Sequence, residues 1–141
     1  MNKKNIIGIF AVVLLLTGCF KDNTWSQKQY KDLTWQMLQL ANLYSSKKMT
    51  SINDEEMKIA KCAAKNIMSE YSYDDYWNSL SNGKQDKRPK VLKLQKFMVT
   101  SLIDCNLNIS ARGYVMLAMQ GLINKDDIPK NKLNELRNSY K

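Results

Sequence analysis

At 141 residues the chain has room for one compact core, and 22 Lys and Arg against 13 Asp and Glu give it a net charge of +9. There is no histidine, which excludes the commonest general base, the commonest metal ligand and every Ser-His or Cys-His catalytic pair.

The first element in chain order is an apolar run from Ile6 to Leu16, preceded by Lys3 and Lys4 and followed by Thr17-Gly18-Cys19. Eleven helical residues span only ~17 Å against a hydrocarbon core of about 30 Å, so the run is too short for a permanent transmembrane helix. A basic start, a short apolar stretch and small residues before a cut site have the form of a secretory signal. Leu16-Thr17-Gly18-Cys19 resembles the lipobox of bacterial lipoproteins. The resemblance implies cleavage before Cys19, diacylglycerol on the Cys19 thiol and acylation of the new amino group; apart from these groups the sequence suggests no cofactor. It divides the chain into a signal peptide (1–18), a lipidated tether (19–24) and a helical periplasmic domain (25–141). Because Phe20, not Asp, follows the cysteine, the same resemblance implies sorting to the outer membrane of a bacterial cell envelope, on the periplasmic face. Several acyl chains make such an attachment effectively stable.

Cleavage there leaves 123 residues, with 20 basic against 13 acidic side chains and a net charge of +7. The excess reads first as a solvated, soluble surface; as a partner signal in an exported protein it points to anionic lipid, lipopolysaccharide phosphates or an acidic protein rather than nucleic acid. With Cys19 consumed by lipid, Cys62 and Cys105 remain as the one available intramolecular pair. An oxidising compartment favours their disulfide, worth up to roughly 4 kcal/mol by loop entropy. A disulfide between chains and two reduced thiols in the core are the alternatives.

Helical spacing of Tyr30, Leu33, Met37, Leu40, Ala41 and Tyr44 predicts a first helix, with Trp35 and Leu38 widening its apolar stripe and an end between Ser45 and Lys48. Asn53 with Glu56, and Ile52 with Met57, form a capping box and hydrophobic staple that start a second. Its inward face is Ala60, Ala63, Ala64, Ile67 and Tyr71, with Cys62 beside it. Ser72 and Asp75 repeat the capping pattern and open a short helix to about Leu80, after which Asn82-Gly83 ends it. Gly83 to Lys90 reads as a basic loop, and Pro89 marks the next helix, whose core face is Val91, Leu94, Met98, Leu102 and Cys105. A disulfide from there to Cys62 staples two helices. Ala111, Val115, Ala118 and Leu122, with Tyr114, Met116, Leu117 and Met119 around them, predict a helix apolar nearly all round and hence central to the bundle, with Gly113 and Gly121 allowing close approach. A last helix from about Asp127 carries Ile128, Leu133, Leu136 and Tyr140. The expected fold is all-α, a bundle of five or six helices with one interhelical disulfide.

Candidate chemistry is sparse, and no catalytic residue or metal ligand set emerges. Ser45-Ser46-Lys47-Lys48 has the Ser-x-x-Lys spacing, but at a helix end it reads as a solvated turn. The acidic groups Asp54-Glu55-Glu56, Asp74-Asp75 and Asp126-Asp127 fall in first helical turns, where capping and the helix dipole account for them. Asn108-Ile109-Ser110 matches a glycosylation acceptor, which carries no weight in the bacterial setting that the lipobox resemblance implies. Lys84, Lys87, Arg88, Lys90, Lys93 and Lys96 form the densest charge, read either as a solvent-facing stripe or as a patch for an anion or partner. Trp25 and Phe20 are expected at the membrane interface, and Tyr71, Tyr73, Tyr76 and Trp77 either in an exposed binding cluster or in the core.

Small size, lipidation, helicity and one disulfide resemble the general plan of secretion pilotins, lipoproteins that guide secretin assembly. That resemblance implies a non-catalytic adaptor with an envelope-protein partner and no small-molecule substrate. An exclusion or immunity lipoprotein, or a lipid-binding envelope protein, is the alternative.

Overall fold

The computed structural model describes residues 24–46, 54–81 and 88–141. The signal segment 1–18, Cys19, Phe20, Lys47, Lys48, the Ile52 and Asn53 start signal, Asn82-Gly83, Lys84, Lys87 and the side chain of Arg88 lie outside the described residues. Among the described residues six helices follow in order: α1 (Gln27–Tyr44), α2 (Asp54–Glu70), α3 (Tyr73–Ser81), α4 (Arg88–Asp104), α5 (Ala111–Met119) and, after a 3-10 turn at Lys125–Asp127, α6 (Lys130–Ser139). Among the described residues the extended pairing consists of an isolated bridge between Ser45 and Ile109. No described helix is long and apolar enough to cross a membrane. The fold is the expected all-α bundle.

Local chemistry sets the helix ends. Ser26 caps α1 in a reciprocal box: its Oγ accepts from the Gln29 amide at 3.2 Å, and Gln29 Oε1 accepts from the Ser26 amide at 2.7 Å. Ser72 caps α3 as its spacing from Asp75 predicts, accepting from the Asp75 amide at 3.1 Å and donating to its carboxylate at 2.7 Å. α4 and α5 both end in a left-handed residue, Asn106 at φ 68° and Gly121 at φ 71°. In each case the next residue reaches back five positions, Leu107 to the Leu102 carbonyl and Leu122 to the Leu117 carbonyl, both at 2.9 Å.

The central helix is α2 rather than α5. Ala60, Ala63, Ala64 and Ile67 have no exposed surface, and the three alanines let α1 and α4 pack closely on either side. Leu33, Met37, Leu38 and Ala41 face them from α1, and Leu94, Met98 and Leu102 from α4. α5 is only nine residues long and packs against α1 and α6 at one end, leaving Met119 82% exposed; its apolar composition reflects a second, smaller cluster of Leu117 with Tyr44, Val99 and Ile109. Gly113 allows a close approach as expected, whereas Gly121 terminates the helix instead of packing within it. The last helix begins at Lys130, later than the expected Asp127, because Asp126 and Asp127 form the 3-10 turn and Pro129 supplies the cap position. Ile128 is buried, while Leu133 and Tyr140 remain exposed.

Cys62 and Cys105 are joined, with Cα atoms 6.0 Å apart and a sequence separation of 43. The bridge ties the middle of α2 to the end of α4. At the other end of that pair the Phe97 ring meets Tyr71 edge-on, 5.5 Å between centroids. α4 therefore runs antiparallel to α2, and its N-terminal half lies where α2 gives way to α3.

Candidate functional site

At that same end Trp25 brings the chain into the fold. Its indole N–H donates to the Tyr71 carbonyl at 2.8 Å, and its ring lies 5.2 Å from Tyr73 and 5.3 Å from Tyr76. One residue earlier, Thr24 Oγ1 accepts from the Tyr73 amide at 3.2 Å. Trp25 is 8% exposed, so the expectation that it sits at the membrane interface is overturned: two aromatic rings and a carbonyl offer it more than an interfacial position would.

These rings wall a partly open cleft of about 240 Å3 between α1 and α3, lined by Trp25, Leu33, Tyr73, Tyr76 and Trp77 with Gln29, Asp32 and Gln36. The α1 side follows from periodicity: Gln29, Asp32, Leu33 and Gln36 recur at steps of three and four along the border of the buried stripe. The α3 side places Tyr73 and Trp77 one turn apart, their rings parallel and 6.5 Å between centroids. Both readings of the aromatic cluster are partly met. Tyr76 is core, 2% exposed, while Trp77 is half exposed. Tyr71 and Tyr73 are half-buried.

Tyr76 anchors the cleft floor by donating its hydroxyl to Gln36 Oε1 at 2.5 Å. Burial, with the neighbouring Tyr73 adding to it, pushes its pKa up to about 12, so the phenol stays a neutral donor at any physiological pH. Burial also raises Tyr71, with Glu70 adding to the effect. Tyr44, at the opposite end, is raised by burial and partly offset by its 2.8 Å hydrogen bond to Gln120. One carboxylate, Asp32, lines the cleft.

The other sequence candidates are dispersed. Asp54, Glu55 and Glu56 occupy the first turn of α2, and Asp74 and Asp75 that of α3. Asp127 accepts from the Asn124 amide at 3.2 Å in its own turn. No group of three His, Cys, Asp or Glu among the described residues is placed to hold a metal ion. Ser46 is engaged through its amide with the Asn108 carbonyl at 3.0 Å, and Ser110, whose Oγ accepts from the Gly113 amide, caps α5. Of the basic patch, Lys90, Lys93 and Lys96 are exposed along the outer face of α4, opposite Leu94 and Met98. Trp35, expected to widen the core stripe, is half exposed, while its neighbours Thr34 and Leu38 are buried.

Sequence reasoning missed Trp25, Gln29, Asp32 and Gln36 as cleft residues. The signal available was the Ser26-x-x-Gln29 capping pair, which fixes the start of α1 and leaves Trp25 as the apolar residue just before the cap. Comparison with known proteins finds no matching family model, no matching characterised sequence and no matching solved structure.

Proposed function

We propose that this chain is a lipid-anchored protein of a bacterial envelope, held through Cys19 in the outer membrane on the periplasmic side, whose helical domain is a non-catalytic docking module for another envelope protein. One observation carries the reading: an aromatic cleft with a polar rim opens six residues after the proposed lipidation site. Half-exposed Trp77 beside Tyr73 is the kind of rigid, amphipathic surface that supplies binding energy in protein interfaces. Gln29, Gln36 and Asp32 add the convergent polar groups that orient a polypeptide. The disulfide and the dense core around α2 supply a rigid platform for an extracytoplasmic setting.

The test is photo-crosslinking in intact cells from position 77, with position 119 as the control. Capture of one envelope protein from 77 and not from 119 supports docking at the cleft. A secretin subunit would make the adaptor pilotin-like, and a conjugation or phage component would make it an exclusion lipoprotein. Equal capture from both positions, or none, overturns the cleft as the docking site. Mass spectrometry of the purified protein tests the address, an acylated N-terminus at Cys19 being expected and an intact Met1 overturning it.

A further inference from the structure

We infer that the outer face of α4, through Lys90, Lys93 and Lys96, rests against the anionic headgroups of the membrane that holds the chain, so that the domain sits in a fixed orientation rather than swinging on its tether. The inference rests on the lipid attachment proposed above.

Three observations converge on it. The first is reach: six residues separate Cys19 from Trp25, which fully extended cover at most ~20 Å, so the end of the bundle that holds Trp25 stays near the lipid surface. The second is placement. Trp25 is bonded to the Tyr71 carbonyl, the Tyr71 ring meets Phe97, and Phe97 is flanked on α4 by Lys96 and, one turn earlier, by Lys93. The tether and the lysines thus share one end of the bundle. The third is charge. Lys90, Lys93 and Lys96 step by three along an exposed face, and none of them forms an ion pair with a described residue. Leu92, 38% exposed, lies one turn from Lys96 on that face and adds an apolar contact of the sort interfacial helices use.

The alternative is a solvated stripe on a freely swinging domain. Magnitude favours contact, because a tether this short keeps the domain at the surface, and lysines that come within one Debye length of it, about 8 Å at physiological ionic strength, feel its charge. A lysine close to an anionic surface gains roughly fivefold in occupancy, so three together bias the orientation by about two orders of magnitude.

The experiment uses the purified full-length lipoprotein in vesicles of phosphatidylcholine with or without 30% phosphatidylglycerol, with a fluorophore at Thr100→Cys or, as the control off that face, at Met119→Cys. Thr100 is exposed and continues the Lys93 and Lys96 face. Headgroup-quencher lipid is expected to quench the Thr100 site at least threefold more than the Met119 site in anionic vesicles. In neutral vesicles, in 0.5 M salt, and in the combined variant Lys90→Gln, Lys93→Gln and Lys96→Gln, the two sites are expected to quench equally. Equal quenching at both sites in anionic vesicles, or a preference that survives the triple substitution, overturns the orientation. Flotation separates the two claims: protein that fails to float with vesicles of either composition overturns the lipid attachment and this inference with it. Protein that floats and quenches equally overturns the orientation alone.

Discussion

Gly113 presses its backbone against Tyr44: a Cβ built at 113 would stand 2.5 Å from the Tyr44 carbonyl oxygen. That oxygen already accepts from the Ser110 amide at 2.9 Å, and the side chain of the same Ser110 caps α5. The contact therefore fixes how α5 docks on the end of α1. An added methyl meets the Tyr44 backbone oxygen first, with Ile109 Cγ2 at 3.0 Å and Ser110 Oγ at 3.1 Å closing in beside it. Gly113→Ala should destabilise the fold by about 2 kcal/mol, overpacking outweighing the ~1 kcal/mol that Ala gains in helix propensity. Thermal unfolding followed by circular dichroism checks it, and an unchanged midpoint would show that the junction yields. Gly121→Ala is the contrast, with open space around it but φ 71°, so its cost of about 1 kcal/mol comes from left-handed strain.

The disulfide joins unequal partners. Cys62 is exposed, whereas Cys105 is 6% exposed and its sulfur accepts from Asn66 Nδ2 at 3.6 Å. Cys62→Ser should lose about 3–4 kcal/mol under oxidising conditions and nothing measurable once the wild type is reduced, because only the loop constraint is removed. Cys105→Ser should stay below the reduced wild type by about 1 kcal/mol, since it also places a hydroxyl in the core. Guanidinium unfolding with and without dithiothreitol separates these effects. An equal deficit for Cys62→Ser in both conditions would assign its role to packing.

The bundle was legible because its helices advertise themselves locally. Ala60, Ala63, Ala64 and Ile67 mark a buried face by spacing alone, and Ser72 with Asp75 marks a start by capping chemistry. What periodicity does not carry is which apolar helix lies in the middle. α5 has the more hydrophobic sequence, yet α2 is central because small side chains decide how closely neighbours approach on both sides, and because α5 stops after nine residues at Gly121. The cleft was half legible. Its α3 rings stood out as a cluster, but their partners on and just before α1 are 40 and more positions away, and no local pattern pairs Trp25 with Tyr71 or Gln36 with Tyr76.

Tyr76 makes the fold alkali-sensitive. Its phenol is pushed up to about 12 in the folded protein, against an ordinary value near 10 in the unfolded chain. Between pH 10 and 12 the unfolded chain holds fewer protons than the folded one, so stability falls as pH rises through that window and is fully present below it. The loss should approach about 2 kcal/mol by pH 12, with Tyr44 and Tyr71 acting in the same direction. Tyr76→Phe should be less stable by about 1 kcal/mol at pH 8, where it lacks the bond to Gln36, and should lose visibly less between pH 10 and 12. Denaturant midpoints at pH 8 and 11.5 test both halves. Parallel pH profiles for the two proteins would show that the phenol ionises as readily in the fold as out of it.

Trp25 and Trp77 divide the cleft into a structural wall and a presented one. Trp25 is buried among Tyr71, Tyr73 and Tyr76, so Trp25→Ala should cost about 3–5 kcal/mol and loosen the junction of α2 and α3. Trp25→Phe keeps most of the ring contacts and drops the indole donor to the Tyr71 carbonyl, for a loss of about 1–2 kcal/mol. Trp77 is half exposed, and Trp77→Ala should cost about 1 kcal/mol, with its far-ultraviolet spectrum unchanged. If the cleft is the docking surface, Trp77→Ala should nonetheless abolish partner capture by a crosslinker placed at Gln36, on the opposite wall, because a central aromatic anchor outweighs its share of the contact area. Stable, fully folded Trp77→Ala protein that still captures the partner at wild-type yield would move the docking surface off this cleft.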